Sequence, residues 1–152
     1  MSPLNMNTGD DLMRDEWEIR KLAMNYARTT DRGDGAGFAA LFTADAAVEG
    51  PGFRVRGYDE LFGNPGMLKQ MYTSTLHTVM NQTVTITGDT AEGETYCIAY
   101  HLNKPDEGGR YTRLDWAIRY QDKYVRQGGK WLYTHRQLLV EWTEVSTVKM
   151  IG

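Results

Sequence analysis

The second half of the chain constrains the fold most. From Tyr111 to Val125 the residues alternate one by one. The even positions carry Leu114, Trp116, Ile118, Tyr120 and Tyr124, and the odd positions Arg113, Asp115, Arg119, Gln121 and Lys123. A period of two belongs to a β-strand, and this pattern describes a sheet with one buried and one wet face. Further strands are expected at about 76–87, 91–103 and 130–144. Gly88-Asp89 and Gly128-Gly129 form tight hairpin turns, and Lys104–Arg110 is a loop. The same alternation puts Tyr96, Ile98, Tyr100 and Leu102 on the buried face of one strand. It puts Leu132, Arg136, Leu138, Val140 and Trp142 on that of another. Cys97, Ala99 and Ala117 then fall on the wet face, where small side chains suit contacts between subunits. His101 and His135 also point away from the interior, unless a β-bulge inverts the pattern.

The first half reads as helical. Asp10 or Asp11 can cap a helix that runs to about Arg32 and ends at Gly33. Asp34 can cap a short second helix through Phe38, Leu41 and Phe42. Ala46–Gly50 and Phe53–Gly57 read as a small hairpin turning at Pro51-Gly52. Tyr58–Tyr72 is helical but interrupted by Asn64-Pro65-Gly66. Helices first and an antiparallel sheet second predict an α+β fold. A strongly curved sheet covered by helices can leave an apolar pocket on its concave face. Residues 1–9 are expected to form an arm, 10–145 the domain and 146–152 a tail.

One residue on the first helix is out of place. Ile19, Leu22, Ala23, Tyr26, Ala27 and Thr30 form a continuous apolar stripe, and Asp31 continues it. A carboxylate there points inward near a helix C-terminus, where the macrodipole disfavours negative charge. It needs a cationic or hydrogen-bonding partner. His77, at the start of a strand, and Arg136, which interrupts an apolar face with a charge it cannot shed, are the candidates. The predicted pocket is lined by Tyr96, Ile98, Trp116, Tyr120, Leu138 and Trp142, with Asp31, His77 and Arg136 as its few polar groups. An Asp, a His and an Arg meeting in such a hollow are the parts of an acid–base site. The plainer roles stay open: a turn cap for Asp31, a satisfied strand histidine for His77, and a carboxylate of another subunit for Arg136.

Composition removes other classes. The chain has 152 residues, enough for one domain with its own core. A net charge of −3 leaves no basic footprint for nucleic acid. A single cysteine, Cys97, allows no intramolecular disulfide and fits a reducing, cytoplasmic setting. On a strand between Tyr96 and Ile98 it reads as packing. There is no apolar run of about 18 residues to span a membrane, and the polar N-terminus lacks the apolar core of a signal peptide. The three histidines and one cysteine have no metal-ligand spacing, so no metal is expected. The glycine-rich Asp31–Gly37 follows a helix rather than a strand and is no phosphate cradle.

Four segments carry a resemblance: Tyr26-Ala-Arg-Thr-Thr-Asp31-Arg-Gly-Asp, Ala39-Ala-Leu-Phe-Thr-Ala-Asp-Ala, Leu76-His77-Thr and Arg126-Gln-Gly-Gly-Lys-Trp131. In order and spacing they resemble the SnoaL-like branch of the nuclear transport factor 2-like superfamily over roughly residues 12–144. That branch includes bile-acid 7α-dehydratase and scytalone dehydratase. The resemblance implies an α+β cone in which a bent antiparallel sheet wraps an apolar cavity closed by N-terminal helices. It also implies cofactor-free elimination by a His–Asp dyad. Asp31 and His77 match the dyad, Tyr26 a catalytic tyrosine five residues before the Asp, and Arg136 an arginine of the last strand.

The resemblance therefore implies a lyase that dehydrates a steroid-like, polyketide or other polycyclic hydroxy-ketone. His77 would act as base and Asp31 would orient it. Tyr26 would donate to the leaving hydroxyl or the carbonyl, and Arg136 would stabilise enolate charge. A homotrimer is the expected assembly, with a dimer as the other option. The alternatives are an isomerase or cyclase in the same cone, and a non-catalytic small-molecule carrier; Tyr26 also suits plain packing.

Overall fold

All four segments expected as long strands are strands in the computed structural model, which describes residues 8–152. The elements in chain order are α1 (Thr8–Arg32), α2 (Gly35–Ala39), β1 (Phe42–Gly50), β2 (Phe53–Arg56), α3 (Gly57–Met71), β3 (Tyr72–Thr87), β4 (Thr90–Asn103), β5 (Tyr111–Gln127) and β6 (Lys130–Val148). One six-stranded sheet has the order β2-β1-β6-β5-β4-β3. The fold is α+β, as expected. The sheet is mixed, because β1 runs parallel to β6 while every other pair is antiparallel. β1 and β6 are remote in sequence, so no hairpin dictates their direction.

Several boundaries differ from expectation. The first seven residues of the expected arm lie outside the described residues, and α1 begins at Thr8. Phe42 starts β1 rather than ending α2. Helix α3 continues through Pro65, which is buried with Leu61 and Asn64; tertiary packing holds a turn that intrinsic propensity would break. β6 runs on to Val148, paired with Tyr111 at the start of β5, so the first residues of the expected tail are strand. Gly33 (φ +70°) ends α1, in a conformation that a side chain would resist. Asp34 caps α2 by accepting a hydrogen bond from Gly37 N at 2.9 Å.

The face of β4 is the reverse of the one expected. Its buried residues are Ala91, Thr95, Cys97, Ala99 and His101. Tyr96, Ile98, Tyr100 and Leu102 lie on the outer face. Directly opposed residues share a face, and Thr95, Cys97 and Ala99 stand opposite Tyr120, Ile118 and Trp116. The bulky side chains of β5 fill the interior, so β4 contributes small ones there. Outside, Tyr96 and Tyr100 are covered by guanidinium groups, Arg119 at 5.0 Å and Arg113 at 4.6 Å from the ring centres.

Two β-bulges re-aim β6. Its register against β5 shifts between Lys123 and Tyr124 and again between Ala117 and Ile118, which leaves Thr134 and Glu141 as extra residues. A strand that gains one residue exchanges its faces beyond that point. Trp131 and Tyr133 therefore turn into the core, Leu132 turns out, and Trp142 joins the outer face at 55% exposure. Arg136, Leu138 and Val140, between the bulges, keep the expected inward orientation. Helix α1 lays Ile19, Leu22 and Tyr26 into a core shared with Phe38, Leu61, Tyr120, Tyr124 and Tyr133. Among the described residues no helix is long and apolar enough to cross a membrane.

Candidate active site

Asp31 finds its partners on β3. Thr75 and His77 are two residues apart and so share the face turned towards α1. Thr75 Oγ1 donates to Asp31 Oδ1 at 2.9 Å, and the His77 backbone N–H donates to Oδ2 at 3.0 Å. His77 Nδ1 lies 2.7 Å from Oδ1. These donors offset the unfavourable helix end. Burial pushes the Asp31 carboxyl up, but the hydrogen bonds and charge of His77, with Thr75, outweigh it and hold the carboxyl below its ordinary value. A carboxylate only accepts, so the proton of a neutral His77 sits on Nδ1 and Nε2 carries the free lone pair.

A cavity of about 270 Å³ opens beside this pair. Met67, Leu68 and Met71 of α3 form one wall, and Trp116, Ile118 and Leu138 from the sheet another. Its polar lining is short: Tyr26, Thr30, Asn64, Tyr72, His77 and His101. His101, expected on the outer face, lies here because β4 is inverted. Its Nδ1 is 3.0 Å from the Leu114 carbonyl, which fixes the proton on Nδ1 and leaves Nε2 as an acceptor. Its ring lies between Tyr72 and Trp116, with centroids 4.8 and 5.4 Å away, and 6.2 Å from that of His77. Burial pushes the His101 pKa down and favours the neutral ring. Tyr26 packs edge-on to His77 at 6.3 Å between centroids. Burial pushes its phenol up to about 12 although Arg136 pulls the other way, so Tyr26 stays a donor throughout the working range.

The structure brings Asp31, His77 and Tyr26 together and separates Arg136 from the cavity. Arg136 is 1% exposed. Its Nε and a terminal nitrogen donate to Asp122 at 2.8 and 3.1 Å. Its guanidinium lies 4.3, 3.6 and 4.7 Å from the ring centres of Tyr26, Tyr120 and Tyr133. Asp122 also accepts from Thr95 and Tyr124, each at 3.0 Å. The partner that Arg136 requires is therefore within its own chain. Asp122 escaped the sequence reading although its position signalled it: it occupies an even position of β5, between Tyr120 and Tyr124 on the apolar face.

Of the expected pocket residues, Trp116 and Leu138 line the cavity. Tyr120 is buried in the core against Tyr26. Tyr96, Ile98 and Trp142 belong to the outer face for the reasons of register given above. His135 is on the outer side, with Nε2 2.6 Å from Glu49. Cys97 is buried in the interior, and burial pushes its thiol up to about 11, which suits packing rather than attack. The capping role open to Asp31 is filled by Asp34. Among the described residues no group of three His, Cys, Asp or Glu side chains is placed to hold a metal ion.

The Asp31 pairing has a pH signature. A carboxyl held lower in the folded state than in the unfolded chain stabilises fully above the unfolded pKa, about 4, and loses that contribution as pH falls through the folded value. The melting temperature of wild type should exceed that of Asp31→Asn at neutral pH, and the gap should close in acid. A gap independent of pH would mean that Asp31 is not the bonded carboxylate described.

Comparison with known proteins adds family and fold. The model of the SnoaL-like domain matches residues 11–137. No curated protein matches. Among solved structures, Rv3472 of Mycobacterium tuberculosis, a protein of unknown function solved as a variant, is 26% identical; the match covers 90% of this chain and 78% of that one with a TM-score of 0.78. A protein of Novosphingobium aromaticivorans provisionally named a scytalone dehydratase is 20% identical, with 93% of each chain covered and a TM-score of 0.80. A hexachlorocyclohexane dehydrochlorinase, LinA type 2, is 18% identical, with 93% of each chain covered and a TM-score of 0.77.

Proposed function

We propose that this chain, which belongs to the SnoaL-like domain family, is a lyase that eliminates water from a ring-bearing hydroxy-ketone. The observation that carries the reading is the His77–Asp31 pair, with its free Nε2 beside an apolar cavity. His77 Nε2 takes a proton made acidic by a carbonyl, directly or through a conjugated double bond. The electron pair moves into the carbonyl as an enolate and returns to expel the hydroxyl. Asp31 stabilises the imidazolium that forms. Tyr26 donates a hydrogen bond to the departing oxygen, while neutral His101 Nε2 accepts one from its O–H. The proton on His77 leaves with the hydroxyl as water. A C–H and a C–O bond break, and a conjugated C=C bond and water form. The names of two structural neighbours, a dehydratase and a dehydrochlorinase, agree with elimination as the reaction type.

Size narrows the substrate. Ligand pockets run from about 300 to 1,000 Å³, and this cavity of about 270 Å³ lies just under that range. It favours one or two rings over a four-ring steroid. The test is a panel of mono- and bicyclic hydroxy-ketones followed by enone absorbance and mass spectrometry. A new conjugated absorbance with loss of one water is expected. Absorbance without change of mass would identify an isomerase, and binding without reaction a carrier. Tyr26→Phe should lower turnover about tenfold or more, the contribution of one hydrogen bond made in the transition state. Unchanged turnover would leave Tyr26 with packing alone.

We propose that the outer sheet face, with Ile98, Leu139 and Trp142, carries contacts between copies in a trimer. Light scattering should then report three times the 17.3 kDa chain mass. A chain of monomeric mass would remove this assignment.

A further inference from the structure

We infer that Thr30 and Asn64 are the donors that hold the substrate carbonyl oxygen, and so determine which ligands the cavity accepts. The inference rests on the elimination reading for its chemistry and on different residues for its evidence. As His77 withdraws a proton, negative charge collects on the carbonyl oxygen, and a site must place donors there. Arg136 is not available, because Asp122 and three tyrosine rings enclose it. Three other polar side chains of the lining are unspent: Thr30 and Asn64, which are buried, and Tyr72, which is only partly so.

Thr30 is 2% exposed, lines the cavity, and its Oγ1 has no hydrogen-bond partner among the described residues. A helical threonine ordinarily bonds back to the carbonyl of the preceding turn. Thr29 does this, donating to Asn25 O at 2.7 Å. Thr30, next to it and one turn beyond Tyr26, does not. A buried hydroxyl without a partner costs stability, so its retention calls for a reason.

Asn64 is 8% exposed, and its amide makes no hydrogen bond among the described residues. It lies at the head of the α3 stripe that continues through Met67, Leu68 and Met71 into the same cavity. A polar residue begins an otherwise apolar wall there, as Asp31 ends one on α1. Both groups can donate, and neither carries charge. That combination suits a carbonyl oxygen that becomes an enolate. It also predicts a preference for planar ligands bearing one such oxygen over hydrocarbons of equal size.

The probe is 4-nitrophenol, a planar mimic of the enolate whose absorbance reports its ionisation. Wild type should bind it and favour the phenolate. Thr30→Val, which keeps the shape and removes the hydroxyl, should weaken phenolate binding about tenfold without lowering the melting temperature. Thr30→Ser should restore it, and Asn64→Leu should weaken it similarly. This rank order reads the contacts to the oxygen and needs no turnover. This separates the inference from the elimination reading, which can fail in the substrate panel while phenolate binding persists. Absence of binding to wild type, or undiminished binding by Thr30→Val and Asn64→Leu, would each overturn the inference.

Discussion

Arg136→Ala should destabilise the fold by about 3–5 kcal/mol, because it leaves the Asp122 carboxylate buried without its counter-charge. Both side chains are sealed, at 1% and 0% exposure. For a chain of this length that loss lowers the melting temperature by roughly 10 °C or more. The tyrosines that surround the guanidinium lose their shared partner at the same time. Arg136→Lys should recover only part of the stability, since an ammonium cannot reproduce the two-pronged contact with Asp122. The double change Arg136→Met with Asp122→Asn should be milder than Arg136→Ala, because no uncompensated charge remains. Thermal melts of the four proteins check the series. A fully stable Arg136→Ala protein would contradict the placement of this pair in the core.

The second large effect is on chemistry. His77→Ala should lower turnover by about 10²–10⁴-fold, the range for a positioned general base. Asp31→Asn should come close to it by another route. An asparagine at this site can present its amide N–H to Nδ1 and turn the histidine to the tautomer with a protonated Nε2, which is no base. In both variants affinity for a product analogue should change far less than turnover. A comparable fall in affinity would instead give these residues a role in binding.

Much of this was legible in the sequence, for physical reasons that can be traced. The stripe of α1 showed that Asp31 points inward, and a buried carboxylate demands donors. His77, at the head of an expected strand, is where they are. The alternation of β5 holds from Ile118 to Tyr124, where the even positions pack on the core; at Asp115, paired with Arg113, and at Ala117 the odd face is buried too. On β4 apolarity alone does not tell inside from outside. Tyr96 and Tyr100 are outside under Arg119 and Arg113, and small residues face the bulky partners of β5. That inversion hid His101. Thr134 and Glu141 leave no compositional trace, yet as bulges they turned Leu132 and Trp142 outward. The even position of Asp122 marks it as facing inward, and so as the destination of Arg136.

The tautomer of His77 tests the central claim most directly. Nitrogen-15 NMR of histidine-labelled protein near neutral pH should find the ring protonated on Nδ1, with Nε2 unprotonated, and the Nδ1 proton protected from exchange by the carboxylate of Asp31. That signature should vanish in Asp31→Asn. A wild-type ring protonated on Nε2, or one whose protons exchange freely with water, would contradict the account.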